Sequence, residues 1–460
     1  MDELIRIERI EIKGIKNVRQ GVINFNEYSS IVKGNFDDLK SVLGIYGQNG
    51  SGKTTVLEVT KLLKNILVGN KLPENFDKFI NNECDKAEIS YQFFITSNNY
   101  KQLITYTFNI ALKDNVYEIC SEKIVSKEFA NDNKKWKPQV TLIECKNQEI
   151  VLKKLVTKIS KNKLIELKVA QDIEKGTSFI FNKRNQKILL DQLKSNNDFG
   201  ENTKLIDVLQ LLPLYAETSL IIIENDIMGS INLNTSVPIN LYLTSKDSLK
   251  MGEIPVNLLT PNEMSKRIFD ILASVIKQID IVLNAIIPSL NLKVTNQKEQ
   301  FLPDGSEGVS FEIVSVRNNK FIPLKYESEG IKRLISVISS MIAAFNNPSI
   351  CLMIDEFDSG IFEYLLGEIV EIINESAKGQ FVFTSHNLRA LEKLSYKSII
   401  ITTTNPDNRY IQLSGMKTNN NTRDFYYTNL ILGGQNEPIC EDTKNYKIKR
   451  AFRKAGKLYE

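Results

Sequence analysis

Val42-Leu43-Gly44-Ile45-Tyr46 runs directly into Gly47-Gln48-Asn49-Gly50-Ser51-Gly52-Lys53-Thr54. The short apolar run predicts a strand buried on both faces. The residues beyond Thr54, to about Leu67, predict a helix. Between them stands GxxxxGK[ST], in the strand–loop–helix setting that gives this pattern its meaning. Its glycines let successive backbone N–H groups curl around phosphate oxygens, and the helix start adds the positive end of its dipole. Lys53 is expected to reach the β- and γ-phosphates, and the Thr54 hydroxyl to bind Mg²⁺. A glycine turn with an incidental lysine would not need a buried strand before it and a helix after it. The stretch is read as a nucleotide site.

Working outward, Ile5 to Phe25 is rich in β-branched residues and predicts two strands with a turn near Gly14. The apolar parity changes between Ile5/Ile7 and Ile10/Ile12, so a bulge is expected there. From Ala87 to Val125 the alternating segments predict antiparallel strands. Lys153 to Lys168 reads as a solvated, lysine-rich helix face, with a nucleic-acid patch as the alternative. Thr260 and Glu263 have capping-box spacing around Pro261, predicting a long amphipathic helix that ends at Pro288. Further on, helix at Ile331–Phe345, strand at Ile350–Ile354, helix at Phe362–Asn374 and strands at Gln380–Thr384 and Ser398–Thr403 follow the rhythm of a mostly parallel α/β sheet.

Composition narrows the class. The 460 residues are 42% hydrophobic and 25% charged, which excludes wholesale disorder and a coiled-coil rod. A net charge of +4 implies no polyanionic ligand by itself; only clustering could. Five scattered cysteines without CxxC and a single histidine argue against structural zinc and a disulfide framework. The N-terminus lacks a signal-peptide pattern, so a reducing, cytoplasmic setting is expected. Leu334 to Ile354 is uncharged, but Asn346-Asn347-Pro348 cuts it into a buried helix and a buried strand, so no membrane span is expected.

Three further stretches carry chemistry. Cys351 to Ile354 is an apolar strand that delivers Asp355 and Glu356 to the crevice where α/β sheets bind ligands. Asp355 is expected to hold Mg²⁺, directly or through water, and Glu356 to orient and deprotonate an attacking water. His386 follows the strand Gln380–Thr384, placing a neutral imidazole where it could donate to a γ-phosphate or that water. Ser328 and Gly330 precede an apolar helix, 27 residues before Asp355 in the case of Ser328, and supply a hydroxyl, a glycine and helix-start N–H groups for an anion.

GQNGSGKT, ESEGIKR, ICLMIDEFDSG and FTSHN, in that order, resemble the Walker A, signature, Walker B with D-loop, and switch-histidine motifs of the ABC-class ATPases. The set is most similar to the SMC-like and OLD-like branch, particularly the AAA family ATPases of bacterial phage-defence and abortive-infection systems. The resemblance implies ATP and Mg²⁺ as cofactors and an α/β, ABC-type ATPase head. That head would have a P-loop parallel-sheet core, an antiparallel β lobe and a mixed, largely helical insertion. It places nucleotide contacts at Gly47, Gln48, Asn49, Gly50, Ser51, Gly52, Lys53, Thr54 and Thr55, metal ligands at Thr54 and Asp355, and catalysis at Lys53, Glu356 and His386. It also implies a head-to-head dimer or higher homo-oligomer in which Ser328, Gly330 and Asp358 act across the interface. ESEGIK departs from the usual LSGGQ wording, and Gln92 is a candidate Q-loop residue or an ordinary strand residue.

The expected organisation is residues 1–145 as the first part of the head, 146–310 as an insertion or arm, and 311–460 as the second part with a basic tail. Lys444 to Lys457 carries seven basic residues and no acid, a solvated tail or a docking site for nucleic acid or a protein. Without sustained heptads an SMC-type arm is not expected. The 74 residues after His386 leave no room for a Toprim nuclease domain, so an effector nuclease or toxin is expected on another chain. The leading reading is a nucleotide-gated switch in antiphage defence. Its rivals are an SMC/RecF-like ATPase of DNA repair or chromosome maintenance that binds DNA, and a nucleotide-bound scaffold with little turnover.

Overall fold

The computed structural model describes residues 4–25, 28–35, 41–96, 100–130, 132, 134–195, 201–245, 248–415, 421–441 and 444–456. Its centre is a six-stranded sheet in the order Leu220–Ile223, Cys351–Ile354, Gln380–Thr384, Ser41–Tyr46, Ile399–Thr402 and Tyr410–Gln412. The first five strands run parallel, and Tyr410–Gln412 closes the edge antiparallel. Alternation decides the packing: Leu43, Ile45, Cys351, Met353 and Val382 enter one core. Val42, Tyr46, Leu352, Ile354, Phe381 and Phe383 enter the other. A sheet buried on both faces needs such continuous apolar runs.

On the first face lies the helix Lys53–Leu67, wedged against a second, antiparallel sheet. That sheet begins with the hairpin Leu4–Ile15 and Val18–Asn24 and continues through Lys86–Thr96, Lys101–Lys113, Val116–Ala130 and Val140–Lys146. The expected bulge is present as a register shift between Ile7 and Arg9, while the turn falls at Lys16-Asn17, just past Gly14. Gln380 staples the two sheets: its carbonyl oxygen accepts from Ile7 N at 2.9 Å and its amide donates to Ile7 O at 2.6 Å. On the opposite face pack the helices Glu329–Asn346 and Glu363–Ser376. The uncharged stretch is thus a helix followed by the strand Cys351–Ile354, and among the described residues no helix is long and apolar enough to cross a membrane.

One expectation changes. The helix placed from Thr260 begins instead at Lys266 and runs to Ile286. Asn262–Ser265 is a strand paired with Glu307–Arg317, and Asn257 Oδ1 takes the N–H groups of Leu259 and Thr260. Sheet pairing and an asparagine turn claim the residues that a capping box would have used. The span 146–310 is mixed and largely helical, as expected, but it also includes the hairpin Ser236–Ser245/Ser248–Asn257 and the strand Asn291–Phe301, and it supplies Leu220–Ile223 to the central sheet.

Candidate functional site

The phosphate loop leaves the strand Ser41–Tyr46 and enters Lys53–Leu67 at Gly52. Gly52 has φ 97°, left-handed, and no side chain caps the helix, so its first N–H groups are left for an anion. At Gly47 (φ 151°) an added Cβ would lie 1.7 Å from Thr402 Oγ1, so only glycine fits. The loop is braced from several sides. Ser51 Oγ donates to Gln48 O at 2.6 Å and meets the Thr402 hydroxyl; Tyr410 OH donates to Gly52 O at 2.8 Å. The Asn17 amide donates to Gly50 O, and Gln48 Oε1 accepts from Glu441 N at 3.2 Å. Asn49 and Thr54 are exposed, whereas Thr55 is buried. Lys53 Nζ donates to the carbonyls of Gly47 and Gln48, at 3.0 Å each. Burial lowers the Lys53 pKa, against the opposing pull of Asp355, Glu356 and Asp358.

The acids arrive from the neighbouring strands. Asp355 is 4% exposed, and its Oδ1 accepts from Thr384 Oγ1 at 2.6 Å and from Thr54 Oγ1 at 3.3 Å. Thr384 Oγ1 also accepts from Glu356 N at 2.7 Å, so one hydroxyl fixes both acidic residues. Glu356 has φ 45°, a left-handed conformation held for a non-glycine residue, and its Oε2 accepts from Asn225 Nδ2 at 2.6 Å. Beneath them the fully buried Arg333 donates to Asp355 O at 3.0 Å. Burial pushes the Arg333 guanidinium down to about 10, with Asp355, Glu356 and Asp226 opposing. Lys53, Thr54, Asp355 and Glu356 thus share one crevice at the C-terminal ends of parallel strands.

Ser328 caps the helix Glu329–Asn346: it is exposed, and its Oγ accepts from Ile331 N at 3.4 Å. Gly330 packs on the loop that follows Glu356, where an added Cβ would stand 1.9 Å from Gly360 O. That loop carries Asp358, whose Oδ2 accepts from the N–H groups of His386 (3.1 Å) and Asn387 (3.0 Å). His386 is exposed and two residues past its strand. Ser328, Gly330, Asp358 and His386 are therefore joined through the Asp358–Gly360 loop. Among the described residues no hydrogen bond joins Ser328 to the phosphate loop. The family model described as AAA ATPase domain matches residues 6–390. The chain belongs to this family.

Among solved structures, this ATPase is similar to an SMC head bound to the C-winged helix domain of ScpA, at 13% identity and TM-score 0.44 over 89% of this chain and 97% of that one. It is similar to a Pyrococcus furiosus Smc head domain with an extended coiled coil bound to the C-terminal domain of ScpA, at 14% identity and TM-score 0.41 over 89% and 97%. The SMC head domain from Thermotoga maritima matches at 13% identity and TM-score 0.34 over 89% and 100%. No curated protein matches the chain.

Sequence reading missed several residues of the ATPase crevice. Asn225 follows Leu220–Ile223, and an apolar run ending in Glu224-Asn225-Asp226 repeats the pattern that exposed Asp355 and Glu356, so it could have been found. Gln92 lies within the strand Lys86–Thr96, where its amide donates to Thr105 Oγ1 at 3.1 Å. Arg333, Thr384 and Thr402 had no local signal. The lysines of 153–168 behave as a solvated face: Lys163 pairs with Glu166 and Lys168 with Glu149.

Proposed function

We propose that this AAA ATPase hydrolyses ATP and works as an ABC-class, nucleotide-gated switch. The observation that carries the reading is the convergence of Lys53, Thr54, Asp355 and Glu356, braced by Thr384 and Asn225. The Lys53 ammonium exchanges the carbonyls of Gly47 and Gln48 for β- and γ-phosphate oxygens, which satisfy a cation better than neutral carbonyls do. Thr54 Oγ1 and Asp355 Oδ1, 3.3 Å apart, are the hard-oxygen pair that a magnesium ion carried by phosphates requires. Magnesium bound there would neutralise phosphate charge.

Glu356, anchored through Oε2 by Asn225, takes the proton of the water that attacks the γ-phosphorus as the bond to the β-phosphate oxygen breaks. The His386 imidazole donates to the γ-phosphate, its backbone positioned by Asp358. Ser328 and Gly330 meet the nucleotide of a second head, and Asp358 lies at the same interface. ATP then closes the pair and hydrolysis reopens it. The setting in antiphage defence, with a separate nuclease or toxin as effector, is carried by the motif resemblance alone.

Magnesium-dependent phosphate release tests the reading: Lys53→Ala should abolish it, and unchanged release would refute it. Mixing inactive Lys53→Ala and Ser328→Arg proteins should restore activity through one intact composite site. No recovery despite demonstrated subunit exchange would refute the two-head arrangement.

A further inference from the structure

The helix Asn445–Gly456 is exposed along its whole length. From Lys444 to Lys454 the chain carries Lys444, Lys447, Lys449, Arg450, Arg453 and Lys454 without an acidic residue. At 3.6 residues per turn the five cations within the helix share one broad face with Tyr446, a residue 65% exposed. The opposite stripe is Ile448, Ala451, Phe452 and Ala455. Unlike Lys163 and Lys168, none of these six cations is paired with an acid among the described residues. Such a face, with an aromatic ring among the cations, complements a line of phosphates. The apolar stripe, with Ile448 and Phe452 as its bulky side chains, is narrower than the cationic face.

The helix is tethered close to the nucleotide loop. Glu441 N donates to Gln48 Oε1, and three residues of chain from Glu441 to Lys444 can span at most about 11 Å. Upstream, Glu437 accepts from the amides of Asn405 (2.9 Å) and Asn408 (3.0 Å), and Pro438 O accepts from Thr404 N at 2.8 Å. Those residues link the strands that carry Thr402 and Tyr410, which hold Ser51 and Gly52. Residues 437–441 therefore touch the phosphate loop directly at Gln48 and indirectly through its braces.

We propose that the helix Asn445–Gly456 docks the phosphate backbone of duplex nucleic acid, and that its occupancy is relayed to the phosphate loop through residues 437–441. The docking half stands on the charged face alone; the relay rests on the nucleotide site proposed above.

The test compares the full chain with a variant carrying K447E, K449E, R450E, R453E and K454E. Fluorescence anisotropy would use labelled duplex DNA, duplex RNA and single-stranded DNA, with vesicles of phosphatidylserine and phosphatidylcholine as a separate arm. Docking predicts duplex binding that weakens at least about 100-fold in the variant, with a log–log salt slope shallower by up to about 4.5, about 0.9 for each of the five cations. Equal binding by both proteins, tighter binding to single-stranded DNA than to duplexes, or binding to vesicles and not to duplexes, would overturn it. The relay predicts that duplex shifts the affinity for a fluorescent ATP analogue several-fold in the wild-type chain, and that Glu437→Ala abolishes the shift while retaining duplex binding. An unmoved affinity in wild type, or a shift that survives in Glu437→Ala, would overturn the relay. Duplex binding by a chain that neither binds nor hydrolyses ATP would refute the nucleotide reading and leave docking standing.

Discussion

Gly330→Ala sets two physical effects against each other. Alanine is the better helix former by up to about 1 kcal/mol, so if Gly330 were only part of a helix start, the substitution would be neutral or stabilising. The structure demands the opposite. The new Cβ would sit 1.9 Å from Gly360 O and 3.0 Å from Gly360 C, both backbone atoms that no side-chain rotation can move. The contact must open by more than about 1 Å to reach ordinary packing, which for an overpacked site costs about 1–3 kcal/mol. A chain of 460 residues unfolding as one unit has an unfolding entropy near 1 kcal/mol/K, so the melting temperature would fall by only about 1–3 °C. Turnover is the sharper reading. The displaced loop carries Asp358, which positions His386 and Asn387, and a shift of about 1 Å in reacting geometry costs on the order of 100-fold. Steady-state phosphate release should show kcat/KM for ATP reduced about 10- to 100-fold, because the change reaches both the Asp358 loop and the face that Gly330 turns to the nucleotide of a second head. A variant as stable and as active as wild type would refute the close-contact argument.

Asn225→Ala should lower kcat about 10- to 100-fold and leave KM within about twofold, since it frees Glu356 Oε2 without touching the phosphate loop; a rise in KM alone would contradict a role through Glu356. Arg333→Met removes a guanidinium whose burial, holding it down to about 10, costs about 3 kcal/mol. It also removes a charged hydrogen bond to Asp355 O worth about 1.5–3 kcal/mol. Urea unfolding should therefore change by no more than about 2 kcal/mol while turnover falls at least about 10-fold, and a large loss of stability with normal turnover would contradict this balance. The lowered Lys53 pKa means that the free protein loses the charge proposed to bind phosphate as pH rises through a point below 10.5. ATP binding should take up a proton and weaken across that alkaline limb; affinity unchanged up to pH 10.5 would contradict it.

Those predictions draw on residues that the sequence reveals unequally. Gly47 to Thr54, Asp355-Glu356 and the strands beneath them are legible because strand, glycine loop and helix are continuous in the chain. Asn17, Thr384, Thr402 and Tyr410 are not, because each reaches the site from an element whose neighbour is chosen by sheet topology. Arg333 looks like an ordinary helix cation until burial places it under Asp355. Leu220–Ile223 was hidden in a stretch without a clear period, since four apolar residues suit a helix or a strand and only pairing with Cys351–Ile354 decides. The Lys266 helix start shows a local cap signal losing to the pairing of Asn262–Ser265 with Glu307–Arg317.

The most direct test of the central claim is the fate of bound radiolabelled ATP in Glu356→Gln, measured by rapid filtration in magnesium. Removing the proton acceptor while keeping Lys53, Thr54 and Asp355 should leave intact ATP bound for many wild-type turnover times, whereas wild type converts it to ADP and phosphate. Hydrolysis by Glu356→Gln at the wild-type rate would contradict the assignment of Glu356. Failure of wild type to hydrolyse ATP at all would contradict the switch itself.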